Sequence, residues 1–351
     1  MPRSTVDVLL VSPGTTAGWR RLDAQAAAEL RELGLTVAVA STDFRLARHL
    51  RRTMQLTDLV EAAAMRRATT RALRRHRPRA ILFSGVQSTM LQPRSRLRVA
   101  GLRFDALTTV NRPGWANFVQ HLLERRALRR LAVLVPVGLH TSVAESGGPP
   151  VMPLPHPVAI PASWPAEREP IVLCYAGNPE KKGLDVIAQA WDMVAPAGRR
   201  LVVTGIDAER GRAYLRKRGV AEPAAVEWAG SLDADRYGAL LSRAEAYVSA
   251  SRFEDYGIAQ LEALANGTPL VTTPSQGGYE ALALARQLEP AFVARDGSPG
   301  ALATALRAAL EMPSAARADY SERARLLVAP YSEAEVRRRL EEDILPLLLG
   351  G

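Results

Sequence analysis

The chain has 351 residues, of which 47% are hydrophobic and one is cysteine; that length and apolar content provide for about two domain-sized cores. No apolar run reaches the roughly 18 to 20 residues that span a bilayer, and the lone Cys174 excludes an internal disulfide or a thiolate metal cluster. The net charge of +10 is uneven: residues 1–160 carry 24 Arg and no Lys against 10 acids, hence +14, whereas residues 161–351 carry 22 basic and 26 acidic side chains, hence −4.

The first apolar run, Val6 to Ser12, reads as a strand. It is short, contains Asp7 and lacks a basic start, so neither a signal peptide nor a membrane span is expected, and a cytoplasmic location is. Arg21 to Leu33 has apolar positions at helical spacing and stops at Gly34; Thr36 to Ala40 then closes one βαβ unit. Arg45 to His76 reads as one or two helices dense in arginine, Arg45, Arg48, Arg51, Arg52, Arg66, Arg67, Arg71, Arg74 and Arg75, interleaved with Leu46, Leu50, Met54, Leu59, Val60 and Leu73. A field of that sign attracts anionic partners, and an anionic membrane surface is the expected one, with peripheral binding at the membrane's inner face. Further strands are expected at Arg79 to Ser84, Ala106 to Val110 and Leu131 to Pro136.

Proline and glycine then break the periodicity from Gly147 to Pro170. Beyond that linker, strands are expected at Ile171 to Ala176, Arg200 to Thr204, Ala225 to Trp228, Ala246 to Ser249, Pro269 to Thr273 and Ala291 to Ala294, with helices between them. Cys174 inside such a run reads as a buried, inert thiol. Ser332 to Leu349 is amphipathic, with Ser332 and Glu335 spaced as a capping box. Strands alternating with helices imply an α/β protein of two doubly wound, Rossmann-like parallel-sheet domains facing a cleft at the carboxyl ends of both sheets. The expected boundaries are residues 1–160, an acceptor-side domain, residues 161–330, a donor domain, and residues 331–351, a helix packing back toward the first domain.

The strongest chemical signal is Glu254-Asp255-Tyr256-Gly257-Ile258-Ala259-Gln260-Leu261-Glu262. It follows a strand, so Glu254 lies on the loop and Gly257 opens a helix whose free N–H groups and positive dipole end suit a diphosphate. Glu262 falls on the first two turns of that helix, where its carboxylate can accept a pair of hydrogen bonds from vicinal hydroxyls such as those of a ribose. A second segment, Tyr175-Ala176-Gly177-Asn178-Pro179-Glu180-Lys181-Lys182-Gly183-Leu184-Asp185, sits at the end of the first strand of the second domain and enters a helix. There Lys182 would set an ammonium beside the oxygens of a leaving phosphate.

On these two motifs the sequence resembles glycosyltransferase family 4, a retaining, nucleotide-sugar-dependent family of GT-B fold whose signature is two glutamates separated by seven residues. The resemblance implies that Glu262 holds the donor ribose, that Glu254 contacts the transferred sugar near its reacting carbon, and that N–H groups at Gly257 and Ile258 hold the phosphates. It implies a phosphate-facing role for Lys182, beside Gly177, and an arginine where this chain has Asn178. Gly205 and the segment Ala225 to Ser231, with Trp228 and Gly230, fall where the family builds its nucleoside pocket. Gly277-Gly278-Tyr279-Glu280 resembles a loop that closes under the donor. In the first half, Gly14 to Gly18 matches a glycine-rich loop near the phosphates, and Asn111-Arg112 stands on the acceptor side where the family often has a histidine. Asn cannot serve as a general base near neutral pH; His121 and His140 are the nearest alternatives.

No Asp-x-Asp pair, His/Cys cluster or Gly-x-x-x-x-Gly-Lys loop appears in a suitable context, so neither a metal nor a resident cofactor is expected, and the donor, a UDP or GDP sugar, is a substrate. The acceptor, lipid-linked, glycan or small molecule, is left open. Two other readings share the fold: another nucleotide-sugar enzyme, epimerase or phosphorylase-like, and an inactive protein that binds nucleic acid or another anionic surface with steep salt dependence. In the transferase reading no nucleic-acid partner is expected.

Overall fold

A computed structural model of the chain describes residues 4–14, 17–42, 54–111, 114–139, 148–165, 167–194, 197–254 and 256–350. It divides into two compact units, Met1–His156 with Ala334–Gly351, and Pro157–Glu333.

The first unit is built on five parallel strands, β1 (Ser4–Ser12), β2 (Val37–Ser41), β3 (His76–Ser84), β4 (Ala100–Phe104) and β5 (Val133–Pro136), in the order β2-β1-β3-β4-β5. Successive side chains of a strand point to opposite faces, and in β1 and β3 both sets are apolar, as a sheet covered on both sides requires. Leu9, Val11, Ile81 and Phe83 enter one core with Ala62 and Met65 of the helix Met54–Arg75 and Ala127 and Leu128 of the helix Phe118–Leu128. Val8, Leu10, Ala80 and Leu82 enter the other, with Ala27 and Leu30 of the helix Ala17–Glu32 and with Val336, Leu340, Ile344, Leu345 and Leu348 of the C-terminal segment. That segment runs as a helix over Glu333–Arg339, a wider π turn over Leu340–Ile344 and a last turn over Leu345–Leu349. The Glu335 carboxylate takes Arg338 and Arg339, which hold it at about 2, well below the usual carboxylate range.

The second unit repeats the plan with β6 (Glu169–Tyr175), β7 (Arg200–Thr204), β8 (Val226–Gly230), β9 (Ala244–Ser249) and β10 (Leu270–Thr272), in the order β10-β9-β6-β7-β8, again all parallel. Cys174, in its central strand, is fully buried, and burial pushes its thiol up to about 12. In each sheet the first strand is flanked on both sides by later ones. The chain therefore winds away in opposite directions from β1 and from β6 and leaves a crevice at their carboxyl ends, the place where doubly wound sheets bind ligands. The two doubly wound sheets are the expected fold class.

Two expected strands are not strands. Ala106 to Val110 reads as extended from its β-branched residues, but the ladder uses Ala100–Phe104 instead, and Thr108–Asn111 is a helical turn. Its opening N–H groups, those of Thr108 and Thr109, donate to the buried carboxylate of Glu124 at 2.6 and 3.3 Å. Gly101 permits the true strand: a Cβ there would sit 3.0 Å from Val133 and 3.2 Å from Leu348. Ala291 to Ala294 begins as a 3-10 turn, Pro290–Phe292, and touches the sheet through one bridge, Val293 to Thr272, since Pro290 has no N–H to donate. The arginine-rich stretch is helical over Met54–Arg75, and residues 43–53, with Arg45, Arg48, Arg51 and Arg52, lie outside the described residues. No helix among the described residues is long and apolar enough to cross a membrane.

Candidate active site

In the second unit the crevice lies between β6 and β9, and the loops leaving these two strands carry both chemical motifs. After β6 the chain turns at Asn178, whose side-chain oxygen accepts from Lys181 N–H at 3.0 Å and whose carbonyl accepts from Lys182 N–H at 2.9 Å. Asn178 is therefore a turn former. Gly183, at φ +65°, ends the turn against the other loop: a Cβ there would lie 2.1 Å from the Ala250 carbonyl oxygen. That contact, with the Arg252 N–H donating to the Lys181 carbonyl at 2.9 Å, locks the lysine loop to the loop after β9. The Arg252 guanidinium completes the lock by pairing with buried Asp185 at 2.6 Å, and Asp185 also accepts from Tyr214 at 2.9 Å. Hydrogen bonds from Arg252 and Tyr214 outweigh burial, itself the largest single influence, and hold the Asp185 carboxyl below its ordinary value.

The result is a close pair. Lys182 Nζ donates to Glu254 Oε2 at 2.5 Å, with only 17% and 7% of the two side chains exposed. The same oxygen accepts from Ser251 Oγ at 2.9 Å and from Gln260 Nε2 at 3.2 Å, and Gln260 Nε2 also reaches Ser249 Oγ at 2.8 Å. Glu254 is further fixed through its backbone, its N–H donating to the Gln276 carbonyl at 2.8 Å, and Gly277 packs on its carbonyl where a Cβ would lie 2.3 Å away. One helical turn beyond, Gly257 caps the helix Ile258–Ala265 in the left-handed region at φ +89°. A Cβ at Gly257 would strike the Tyr279 ring at 2.8 Å, so ring and helix start fit only around glycine. The Tyr279 hydroxyl bonds Thr272 Oγ1 at 2.8 Å; burial first, then the Glu254 charge, push that phenol up. The first N–H groups of the helix, from Ile258 onward, have no carbonyl of their own helix to bond.

Glu262 sits on the second turn of this helix, half-buried, beside the Tyr237 phenol, which burial and then the Glu262 carboxylate push up. Gly177 and Gly205 both press on the ring of Tyr175: a Cβ would lie 2.4 Å from its hydroxyl oxygen at Gly177 and 2.5 Å from its ring at Gly205. Tyr175 closes β6 half-exposed, with Lys182 Nζ 6.0 Å from its ring centre. Gly230, at φ +66°, accepts from Gly205 N–H at 2.7 Å and has open space where a Cβ would point. Trp228 faces elsewhere, packing on Gly211 and donating to Glu222 at 2.8 Å. Glu280 accepts from Tyr331 at 2.7 Å, a packing role.

Thus Lys182, Glu254, Gly257 and Ile258 come together at one crevice, with Gly177 and Gly205 around Tyr175 and Glu262 along the helix. Asp255, Arg112 and His140 lie outside the described residues. Gly14, at φ +59°, is in the first unit at the end of β1, its carbonyl accepting from Arg20 at 2.9 Å. Asn111 ends the short helix there, seven positions beyond the end of the observed strand β4, because the strand expected to deliver it, Ala106 to Val110, is not formed. His121 lies on the helix Phe118–Leu128, half-buried. Ser251 and Arg252 were not anticipated, and Tyr175, Gln260 and Tyr279 stood in the expected motifs without a role of their own. Gln260 falls between the two glutamates and Ser251 three before the first, positions a helix start and a tight loop bring to one carboxylate. Among the described residues no three His, Cys, Asp or Glu side chains gather as a metal site would need.

Residues 159–327 match the family described as "Glycosyl transferases group 1". Over 198 residues the chain is 30% identical to the glycogen synthase of Thermus caldophilus, covering 51% of this chain and 44% of that protein, so it spans less than half the length of this curated relative. In three dimensions it is similar to sucrose-phosphate synthase from Thermosynechococcus elongatus, with TM-score 0.70 and 16% identity over 99% of this chain and 100% of that one. It is also similar to the structure "Trehalose-6-phosphate from E. coli bound with UDP-2-fluoro glucose", with TM-score 0.67 and 11% identity over 98% and 99% of the two chains. These likenesses give the fold as GT-B. Residues 159–327, which carry the Lys182–Glu254 pair and the Gly257 helix, are thus the part of the chain that matches the glycosyl transferases group 1 family.

Proposed function

We propose that this protein is a retaining glycosyltransferase that moves a sugar from a UDP or GDP sugar to a hydroxyl acceptor in the cytoplasm. The observation that supports it best is the juxtaposition at one crevice of a mostly buried Lys182–Glu254 pair and a helix that opens on glycine. Diphosphate oxygens would accept from the helix N–H groups at Ile258 and from Lys182, which stabilise the charge that grows as the bond from the sugar carbon to the diphosphate oxygen breaks. Once Lys182 turns to phosphate, the Glu254 carboxylate, still held by Ser251 and Gln260, faces the transferred sugar and its reacting carbon. Gln260 Oε1, buried without a partner among the described residues, would accept from a sugar hydroxyl. Glu262 would accept from the ribose hydroxyls, and the half-exposed Tyr175 face offers the nucleotide an aromatic wall. The acceptor hydroxyl attacks the face from which the diphosphate leaves, so the anomeric configuration is kept.

A thermal-shift screen of UDP and GDP sugars tests the reading, since a ligand at 100 times its Kd stabilises the folded chain by about 2.7 kcal/mol. At least one donor should raise Tm, and Glu262→Ala should abolish the rise. Silence toward all UDP and GDP sugars, or an epimerised or phosphorolysed product with no transfer to any hydroxyl, would overturn it.

A further inference from the structure

The helix Phe118–Leu128 of the first unit buries Ala127 and Leu128 at its end but carries apolar residues outward at its start. Its polar Gln120 and Glu124 are buried, while Trp115 just before it is 91% exposed and Phe118, Val119 and Leu122 are 65%, 53% and 54% exposed. These four residues are spaced i, i+3, i+4, i+7, one stripe of a helical surface. The same stripe continues as Arg125, Arg126 and Arg129, where a cavity of about 600 Å³ is lined by Arg94, Leu122, Arg125, Arg126, Arg129 and Arg130. Glu124, the acid on the same helix, is occupied by the N–H groups of Thr108 and Thr109. Among the described residues no ion pair involves Arg94, Arg98, Arg125, Arg126 or Arg130. These cations act on one another: desolvation and then the charges of Arg94, Arg126 and Arg98 push the Arg130 guanidinium down. An apolar stripe that runs into clustered, mutually repelling cations lacks two things, a hydrocarbon phase and a layer of anions.

We infer that the surface from Trp115 to Arg130 docks this protein on an anionic lipid bilayer. The helix lies in the interface with Trp115, Phe118, Val119 and Leu122 toward the acyl boundary, and Arg94, Arg125, Arg126 and Arg130 hold lipid phosphates in and around the cavity. The aromatic residues and the arginines suit the two depths of such an interface. This surface differs from the arginine-rich helix Met54–Arg75, where Arg66, Arg67, Arg71, Arg74 and Arg75 are exposed but Leu59 and Val60 are partly buried and Leu73 packs on the core. That helix supplies charge with one exposed large apolar side chain, Leu56, among its described residues, and no stripe of them.

Co-sedimentation with phosphatidylcholine vesicles, with and without phosphatidylglycerol, decides the matter on the full chain and needs no transferase activity. The protein should bind only the anionic vesicles and come off with added salt, and brominated acyl chains should quench its tryptophan fluorescence in a manner lost in Trp115→Phe. Arg125→Gln with Arg126→Gln should weaken binding about thirtyfold, and Phe118→Ser with Leu122→Ser should abolish bromolipid quenching. All five substituted positions are at the surface, so the variants should keep the wild-type Tm. Absence of binding to anionic vesicles at low salt overturns the inference. So does binding that these variants leave unchanged, or capture by RNA with none by vesicles, which would make the cationic patch a nucleic-acid surface.

Discussion

Lys182 and Glu254 lie 2.5 Å apart and both are largely withdrawn from water, so each is what permits the other to be charged there. Removing one partner of such a pair strands the other and costs about 3–5 kcal/mol, whereas replacing both can be close to neutral. Lys182→Met should therefore lower stability by about that amount and abolish donor turnover. The double variant Lys182→Met with Glu254→Gln should recover most of the stability and none of the turnover. Lys181→Met should do little to either, because its ammonium rests over the Phe253 ring 5.5 Å away, at the outer side of the loop. Urea unfolding and donor turnover on the four proteins check this; equal effects of Lys181→Met and Lys182→Met would dissolve the distinction. From the sequence, the two lysines and the two glutamates were visible as types at a spacing. That Lys182 and not Lys181 meets the carboxylate depends on the Asn178 turn and on Gly183, which fix the phase of the loop. The roles of Ser251, Gln260 and Arg252 were invisible for the same reason: hydroxyl, amide and guanidinium side chains are common on surfaces, and only the turn aims them at one acid.

Elements meet at this site through glycines, and comparing one of them, Gly183, with Gly219 beyond the helix Ala208–Lys217 separates backbone strain from packing. Gly219 and Gly183 both hold positive φ, +68° and +65°, but a Cβ at Gly219 meets open space and one at Gly183 lies 2.1 Å from the Ala250 carbonyl. Gly219→Ala should cost about 1–2 kcal/mol for the left-handed conformation alone. Gly183→Ala should cost a further 1–3 kcal/mol for the overlap and, by parting the two loops, lower turnover as well. Matched chemical denaturation of the two variants gives the comparison; equal losses would mean that the loops yield without effort. The strands show what a linear pattern does and does not carry. Runs buried on both faces, such as Val6 to Ser12 and Ile171 to Ala176, are unmistakable because a parallel sheet demands continuous apolar sequence. Around β4 the signal misleads: Gly101 and Arg103 disguise the true strand, whereas Leu107 to Val110 carries the β-branched residues. Burial of Arg103, whose guanidinium donates to the Leu22 carbonyl at 3.1 Å, is a tertiary fact that no local preference expresses.

At the scale of the whole chain, the C-terminal residues return to the first unit after the second is complete. Val336, Leu340, Ile344, Leu345 and Leu348 fill one face of the β1–β3 sheet against Val8, Leu10, Ala80 and Leu82, a face that the helix Ala17–Glu32 covers only in part. Arg337 adds an exposed bond to Glu32 at 3.2 Å, of the kind worth at most about 1 kcal/mol, so the apolar contacts carry the attachment. Truncating a fully buried Ile or Leu to Ala costs about 2–5 kcal/mol, and Ile344 and Leu340 are both buried. Because their neighbours all belong to the first unit, Ile344→Ala or Leu340→Ala should loosen that unit and leave the second intact. Hydrogen exchange reads this directly: protection should fall at Leu9, Leu10 and Leu82, whereas Val172 and Val202, in the strands beside the Lys182–Glu254 pair, should keep theirs. Donor binding measured by its thermal shift should persist, since Tyr175, Lys182, Glu254, Ile258, Gln260 and Glu262, proposed above to hold the donor, all lie in the second unit, and only Gly14 of the expected phosphate loop lies in the first. Loss of protection to the same degree in both sheets would instead show that the two units unfold as one, and that the C-terminal segment holds the donor site together as well as the fold of the first unit.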